Sequence, residues 1–289
     1  MYQKHKKLTF LSLLMVSIFF TSCKKDEPQP PAQIPQSGQY LHLSHPKAID
    51  NPRMDSLVEI VDYKKFDMLW LGGDLAENTT KDNESMTHVD TIFDLGNTNT
   101  LWALGNHDYT YPYRIPDFTY RPYYYAYHKN GISFIVLDTQ DSLSNIIHAQ
   151  KDLVESVTDT ISESSHLILL HHKLIWIYGN ADLEPQADSV SNAPIGDCFY
   201  CINPNNFYDD IYPMLLQVKQ RGVEVICIAG DIGKKTTEFE FKTSEGIHFL
   251  ASGMRANSGE SKAMLFEHDI TNKQLVWEYV LLEDLIGND

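Results

Sequence analysis

Side chains able to bind a metal ion or transfer a proton follow four apolar segments of this 289-residue sequence. Residues 73–77 (GDLAE) and 105–108 (GNHD) follow two of these segments, and His171-His172 and Gly230-Asp231 follow the others. Together they offer carboxylates, an amide oxygen and imidazoles, which are the oxygen and nitrogen ligands of divalent metals. The sequence therefore indicates metal-dependent chemistry at a site assembled from separate segments.

The apolar segments have the length of buried strands, and the stretches between them repeat apolar residues every three or four positions, as helices do. The strand-like segments start at residues 40, 66, 101, 166 and 223. The helix-like patterns cover residues 57–61, 86–93 and 153–161. This alternation predicts parallel strands whose carboxyl ends meet at one edge, where open α/β sheets bind their ligands.

Three later stretches read as β-hairpins, because strand-like residues flank a short polar turn in each. They cover residues 123–139, 236–253 and 263–280. Antiparallel strands so late in the chain predict an α/β structure with two mixed sheets face to face and helices outside, rather than one doubly wound sheet.

The charge and composition of the chain limit the kinds of molecule that it is expected to bind. A formal charge of −16 excludes nucleic acid as an expected partner, because proteins that bind a phosphate backbone present basic surfaces. With 43% hydrophobic and 21% charged residues, a chain of this length can build the core of a single globular domain.

Residues 1–22 predict a lipoprotein signal peptide, because lysines precede an apolar run, residues 8–20, that is too short to span a bilayer comfortably. Small residues then lead to Cys23, which we expect to carry a lipid anchor; cleavage as an ordinary secreted protein is the alternative. Residues 23–38 form a Pro-rich tether, and the folded domain covers residues 39–285. The expected location is the bacterial cell envelope, periplasmic or on the outer surface, with the anchor in the membrane.

Three cysteines remain in the domain. Cys227 lies within an apolar strand and is expected to be a small buried residue. Cys198 and Cys201 form a Cys-x-x-Cys pair in an irregular aromatic stretch, where a structural disulfide is favoured over a redox motif.

The strings GDLAE (73–77), LGNHD (104–108) and LILLHHK (167–173) resemble the calcineurin-like metallophosphoesterases over about residues 39–283. That family shows, in chain order, Asp-x-His, Gly-Asp-x-x-(Asp/Glu), Gly-Asn-His-(Asp/Glu), a strand-ending His and Gly-His-x-His. The resemblance implies a four-layer αββα sandwich of two mixed β-sheets flanked by helices, and hydrolysis of phosphate esters.

The first and last motifs depart from the family pattern. In the first, His45 stands at the Asp position and Lys47 at the His position. In the last, Asp231 replaces the first His and Gly233 the second. One of the two metal sites that the resemblance implies therefore keeps only Asp74, with His45 as a possible addition.

The other implied metal site is complete, and its ligands are Asp74, Asn106, His171 and Asp231. We expect one divalent ion per chain, drawn from Mn, Fe, Zn and Mg. Because Asp231 offers a hard carboxylate oxygen in place of an imidazole, we expect the site to prefer manganese, magnesium or iron to zinc.

Lys47 is expected to stand where the second cation would be and to supply positive charge for phosphoryl oxygens, with help from Lys234 or Lys235. His107 is expected to stabilise developing charge or to protonate the leaving oxygen, and Asp108 to orient its imidazole. A turn residue and a solvated lysine are the alternatives for His45 and Lys47.

Two features near this edge bear on the substrate. Tyrosines and a phenylalanine crowd residues 109–127, where rings near the metal edge would stack on a sugar or a base. Residues 173–205 have little periodicity, which fits either a lid over the site or a disulfide-stiffened surface loop.

Two functions follow from these patterns. The first is a metal-dependent phosphoesterase that acts on a small-molecule phosphomonoester or phosphodiester through the residues named above. The alternative is a catalytically inactive protein that binds a ligand or glycan on the same scaffold.

Overall fold

A computed structural model describes residues 36–256 and 258–287 of the chain. The predicted signal peptide, Cys23 and the tether up to residue 35 lie outside the described residues. Strand β1 begins at Ser37, two residues before the predicted start of the domain. Within the described part of the chain, no helix has both the length and the apolar character needed to cross a bilayer.

Strands and helices alternate in the first two thirds of the domain, and hairpins dominate the last third. The strands are β1 (Ser37–Leu43), β2 (Met68–Leu71), β3 (Thr100–Trp102), β4 (Tyr125–Lys129), β5 (Ile132–Val136), β6 (His166–Leu170), β7 (Glu224–Ala229), β8 (Glu238–Lys242), β9 (His248–Ser252), β10 (Lys262–Asp269) and β11 (Gln274–Leu281). The helices are α1 (Asn83–Phe93), α2 (Ile115–Thr119), α3 (His148–Thr160), α4 (Ala187–Val190), α5 (Tyr212–Gln220) and α6 (Leu282–Leu285).

The strands form two mixed sheets, as predicted. The first has the order β11-β10-β1-β2-β3, in which β1, β2 and β3 are parallel and the β10–β11 hairpin is antiparallel to β1. The second has the order β4-β5-β6-β7-β9-β8, with β5, β6, β7 and β9 parallel and an antiparallel strand at each edge. The three predicted hairpins are β4–β5, β8–β9 and β10–β11.

Alternate strand residues pack on opposite faces of each sheet and build three apolar clusters. Tyr40 and Trp70 of the first sheet and Phe134 and Leu170 of the second share the cluster between the sheets. Outside the first sheet, α1 packs on the opposite residues of β1 and β2. Outside the second sheet, α3 and α5 pack on the opposite residues of β6 and β7. The result is a four-layer αββα sandwich.

The helix predicted from the pattern at residues 57–61 is not present. Residues 57–61 form a single 3-10 turn, Val58–Ile60, followed by a second turn, Tyr63–Lys65. Val61 between them has an extended backbone (φ −63°, ψ 135°), and the Asp62 carboxylate accepts a hydrogen bond from Lys64 N. An aspartate that caps a new turn competes with helix continuation.

The two sheets come close together where the carboxyl ends of β1, β2 and β7 meet. Ser44 Oγ donates to the carbonyl oxygens of Gly230 (2.5 Å) and Ser252 (2.7 Å), which joins the end of β1 to the second sheet. A Cβ atom on Gly230 would lie 2.0 Å from the Gly72 carbonyl oxygen, so only glycine permits this approach. The strand ends of both sheets therefore converge on one edge.

Candidate metal site

Asp74 occupies the centre of this edge, just after β2. Its backbone is left-handed (φ 55°), a strained conformation for a residue with a Cβ, and such strain recurs at functional sites. Its Oδ1 accepts a hydrogen bond from His107 N at 2.9 Å. The carboxylate is tucked against Gly105, where a Cβ atom would lie 2.2 Å from Oδ1.

A buried group of three side chains forms the strongest candidate ligand set. Asp74, His172 and Asp231 each offer one ligand atom, and these atoms all lie within 4.8 Å of one another. His172 Nε2 is 3.6 Å from Asp74 Oδ1 and 3.9 Å from Asp231 Oδ1. Both carboxylates come from residues that were predicted to bind the metal.

The hydrogen bonding of His172 leaves one ring nitrogen for a cation. Nδ1 lies 2.6 Å from the carbonyl oxygen of Gly72, which can only accept, so Nδ1 carries the proton. Nε2 is buried without a hydrogen-bond partner among the described residues. In the neutral ring its lone pair faces two carboxylates, which is unfavourable unless a positive charge lies between them. The donor set therefore fits a bound cation.

Electrostatics within the group agree with this fit. Burial alone would raise the pKa of Asp74, but the imidazoles of His172, His45 and His107 lower it. Burial opposes charge on His172, yet the carboxylates of Asp74 and Asp231 outweigh it and raise the pKa of that imidazole. Two carboxylates around one imidazole thus attract a positive charge, which is either a proton or a metal ion.

His171, predicted to be the ligand, is absent from this group. Its Nδ1 donates to the carbonyl oxygen of Lys173 at 2.7 Å, and burial lowers the pKa of the ring to about 4. Ile168 and Leu170 belong to the cluster between the sheets, whereas Leu167 and Leu169 belong to the outer one. His172 is an even number of residues from Ile168 and Leu170. Its side chain therefore points to the same side as theirs, toward Gly72 of the other sheet.

His45 approaches the other oxygen of Asp74. Its Nδ1 lies 3.2 Å from the carbonyl oxygen of Met254, and its Nε2 lies 3.8 Å from Asp74 Oδ2. The ring is buried, and burial lowers its pKa despite the nearby carboxylates. The structure therefore brings His45 to the site, on a different carboxylate oxygen from the one that faces His172.

Lys47 is paired at the side of the site rather than open to it. Its ammonium forms an ion pair with Glu77 Oε2, and Glu77 also contacts His107. His107 Nδ1 lies 2.8 Å from the Glu77 carbonyl oxygen and 3.7 Å from Oε1. Glu77, which the sequence offered only as the last residue of a motif, thus connects the predicted cation to the predicted proton donor.

Asp108 is not in position to orient His107, the role predicted for it. Its fully buried carboxylate accepts hydrogen bonds from the backbone nitrogens of Asp74 (2.7 Å), Leu75 (3.1 Å) and Gly105 (2.8 Å) and from the Thr79 hydroxyl. Burial and the nearby Asp74 charge raise its pKa. Asp108 fastens the loop after β2 to the loop after β3, and the carbonyl of Glu77 fixes the His107 ring instead.

A cavity of about 360 Å³ opens over these side chains. Five of the predicted metal-binding and catalytic residues line it, namely His45, Asp74, Asn106, His107 and Asp231, and so does Lys234, which was predicted to assist them. The remaining lining residues are Asn192, Ala193 and Tyr200. The site is thus a polar pocket with one aromatic side chain and one lysine at its wall.

Residues 173–205 supply that wall. Asn192 N donates to the Asp231 carbonyl oxygen at 3.0 Å, and its Oδ1 accepts from Lys234 N at 2.7 Å. Cys198 and Cys201 form a disulfide, and Cys227 is buried and free, both as predicted. Trp176 is fully buried in the outer core, so the first part of the stretch is packed structure rather than a lid.

Four residues of the site were missed as participants by sequence reasoning: His172, Glu77, Asn192 and Tyr200. The parity of His172 with Ile168 and Leu170 identifies it only once the structure shows which face of β6 meets the other sheet. Asn192 and Tyr200 lie in a stretch without periodicity, so no sequence pattern predicted that they would line the site.

Comparisons with known proteins give structural similarity only. Neither a protein-family model nor a curated protein sequence matches the chain. The chain is similar to a dimetal phosphatase from Danio rerio (10% identity, TM-score 0.47), with 80% of this chain and 95% of that chain covered. It is also similar to the NAD nucleotidase of Haemophilus influenzae (12%, TM-score 0.38) and a 5′-nucleotidase precursor from Thermus thermophilus (13%, TM-score 0.39).

The alignments with these two nucleotidases cover 84% and 85% of this chain. The chain spans about half of their length, 49% and 54%. The function proposed below therefore rests on the geometry of the chain's own site.

Proposed function

We propose that this protein is a phosphoester hydrolase that uses one divalent cation held by Asp74, His172 and Asp231, with Asn106 as a further oxygen ligand. The observation that carries the proposal is the buried Nε2 of His172, which has no hydrogen-bond partner among the described residues and faces two carboxylates. A divalent cation there would neutralise phosphoryl oxygens and acidify water. Three oxygen ligands favour Mn, Mg or Fe over Zn.

The chain's own residues complete the reaction. Water attacks phosphorus as the bond to the ester oxygen breaks, and the leaving oxygen needs a proton. His107 lines the cavity, and its Nδ1–H is held by the Glu77 carbonyl oxygen, so Nε2 is the nitrogen that exchanges protons. Lys234 lines the same cavity and supplies positive charge near the phosphoryl group.

Lys47 has a modified role in this proposal. Its ion pair with Glu77 stabilises the loop that carries the Glu77 carbonyl oxygen, and through it the ring of His107. His45, beside Asp74 Oδ2, provides a ring nitrogen on the side where a second ion would otherwise bind. We therefore keep the proposal of one ion per chain.

The test combines metal content with turnover. The purified domain is expected to hold one Mn²⁺, Mg²⁺ or Fe²⁺ by mass spectrometry and to release phosphate or alcohol from generic monoesters and diesters. His107→Ala is expected to keep the ion and lose activity by 10²-fold or more, roughly the contribution of a general acid. Lys235→Ala, outside the cavity, is the matched control and should retain activity.

The results that would contradict the single-ion proposal differ from those that would contradict hydrolysis. Two tightly held ions per chain would contradict the single-ion proposal while leaving hydrolysis intact. A bound ligand or glycan without any turnover, insensitive to chelators and to His107→Ala, would favour the inactive binding protein instead.

We also propose that the domain is exported and anchored through Cys23. The Cys198–Cys201 disulfide supports export, because structural disulfides persist in oxidising compartments. Fatty-acid labelling of the full chain in a bacterial host should be lost in Cys23→Ser. Equal labelling of both proteins would refute the anchor.

A further inference from the structure

The loop closed by the Cys198–Cys201 disulfide presents two aromatic rings to solvent. Phe199 is 44% exposed and Tyr200 is 56% exposed, although both are large apolar side chains. Tyr200 lines the cavity that contains Asp74 and His107. An exposed aromatic side chain beside a polar pocket is a common feature of ligand sites.

The loop is held firmly from below by a buried lysine. Lys173 is 1% exposed, and its ammonium donates to the Phe199 carbonyl oxygen (2.7 Å) and to Asn203 Oδ1 (3.0 Å). Asn203 Nδ2 in turn donates to the carbonyl oxygens of Cys198 (2.8 Å) and Gly196 (3.1 Å). These bonds fix the backbone on both sides of Tyr200.

Lys173 also links the loop to the candidate metal site, because it directly follows His172 in the chain. The strand end that provides the imidazole ligand therefore sets the position of the aromatic loop. Tyr200 is held at a defined place relative to the site where the phosphoryl group would bind, as a specificity residue must be.

The ring of Tyr200 differs from that of Phe199 in its contacts with other aromatic rings of the described residues. Phe199 lies 6.2 Å from Tyr109, and Tyr109 lies 6.3 Å from Tyr123, as ring centroids. Among the ring contacts of residues 36–256 and 258–287, none involves Tyr200. Tyr200 is half-exposed and lines the cavity, so its ring is accessible to a ligand there, while its neighbour Phe199 contacts the ring of Tyr109.

We propose that Tyr200 stacks on a planar aromatic group of the substrate, so that the preferred substrates are phosphate esters that carry a ring such as a nucleobase. This inference rests on the proposed function and names the substrate class of the same site. Lys234 and the bound cation would hold the phosphoryl group, and Tyr200 would hold the ring. A cavity of about 360 Å³ is within the range of small-molecule sites.

The experiment compares two esters with the same kind of leaving group. Adenosine 5′-monophosphate and ribose 5-phosphate both release a primary alcohol, and they differ in the base. The wild-type chain is expected to have a higher kcat/KM for the nucleotide. Tyr200→Ala should lower that kcat/KM by about 5- to 100-fold, mainly through KM, because stacking on a base is lost.

Four controls accompany this comparison. Tyr200→Ala should change kcat/KM for ribose 5-phosphate by less than about twofold, and Tyr200→Phe, which keeps the ring, should restore the preference for the nucleotide. Tyr120→Ala removes another exposed tyrosine that does not line the cavity, and it should behave as wild type. The double variant C198S/C201S should reproduce the KM increase for the nucleotide, because the loop loses its closure.

Different results would overturn the stacking inference and the proposed hydrolase function. Hydrolysis of both esters with equal efficiency, or an equal loss on both in Tyr200→Ala, would overturn the stacking inference and leave the hydrolase standing. An absence of hydrolysis of either ester, and of a generic aryl phosphate, would overturn the proposed function and this inference with it.

Discussion

His172 and His171 show how position decides which of two adjacent histidines can bind a metal. The Gly72 carbonyl oxygen fixes the proton on Nδ1 and leaves Nε2 directed at Asp74 and Asp231. The adjacent His171 has its own carbonyl partner, Lys173 O, and its Nε2 is also without a hydrogen-bond partner among the described residues, but it is not part of the group of Asp74, His172 and Asp231. Two chemically identical side chains thus receive different roles from their positions.

The two histidines make a matched pair for measuring metal affinity. His172→Ala is expected to weaken Mn²⁺ binding by about 100-fold or more, since loss of even an outer partner of a ligand costs about 10- to 100-fold. His171→Ala should keep the wild-type affinity, because its ring nitrogen does not belong to the ligand group. Isothermal titration calorimetry measures both, with thermal unfolding as the check that each variant folds. Stronger weakening in His171→Ala would refute the assignment.

Only part of this site could be predicted from the sequence. Asp74, Asn106, His107 and Asp231 follow strand ends in recognisable strings, and parallel strands place such residues at one edge. The segment HLILLHH is apolar on both faces because the strand is buried on both, so no alternation marks which histidine faces the other sheet. The ion pair between Lys47 and Glu77 joins residues 30 positions apart and has no local signature.

At the scale of elements, the site exists because the loops after β2 and β3 pack closely and are joined by one buried carboxylate. Asp108 accepts hydrogen bonds from both loops, and Gly105 leaves room for the Asp74 carboxylate. The hairpins could be predicted because their turn residues are local signals. The 3-10 turns at 58–65 could not, since apolar spacing alone does not reveal the competing cap by Asp62.

Gly105→Ala tests the close fit of these loops. Its backbone is ordinary (φ −93°), so alanine is disfavoured by close contacts of the Cβ with Asp74, 2.2 Å from Oδ1 and 2.5 Å from the backbone nitrogen. We expect a loss of about 1–3 kcal/mol in the free energy of unfolding and weaker metal binding, because the carboxylate or the loop must move. Chemical denaturation and Mn²⁺ titration measure the two effects.

Gly287→Ala is the control for that substitution, because a Cβ there meets only Lys65 Nζ at 3.8 Å. It should leave stability and metal affinity unchanged. Unaltered metal binding in Gly105→Ala would show that the Asp74 carboxylate does not depend on this contact.

At the scale of the whole molecule, the two sheets enclose histidines well away from the candidate metal site as well as within it. His166, the first residue of β6, is buried beside His268 of β10, with ring centroids 6.0 Å apart. Ser165, Glu224 and Lys219 complete its polar surroundings. Burial and the neighbouring imidazole lower the pKa of His166 to about 4.

This low pKa predicts a stability that depends on pH. Between the unfolded pKa of 6.5 and the folded pKa of about 4, the unfolded chain binds more protons at His166, so acidification through this window favours unfolding. His166→Gln removes this proton uptake. Relative to its own value at pH 7, the variant should lose about 3 kcal/mol less free energy of unfolding than wild type by pH 4. Urea unfolding of both proteins in a chelating buffer measures the difference, and parallel pH profiles would refute it.

The place of β1 in its sheet governs the order in which the chain can be assembled. β1 is the earliest strand of the domain, yet it is a central one, paired with β2 on one side and with β10 on the other. During synthesis its second neighbour, Lys262–Asp269, emerges more than 200 residues later. The edge of β1 therefore stays uncovered on the ribosome until β10 has been made, so this sheet can close only after that point.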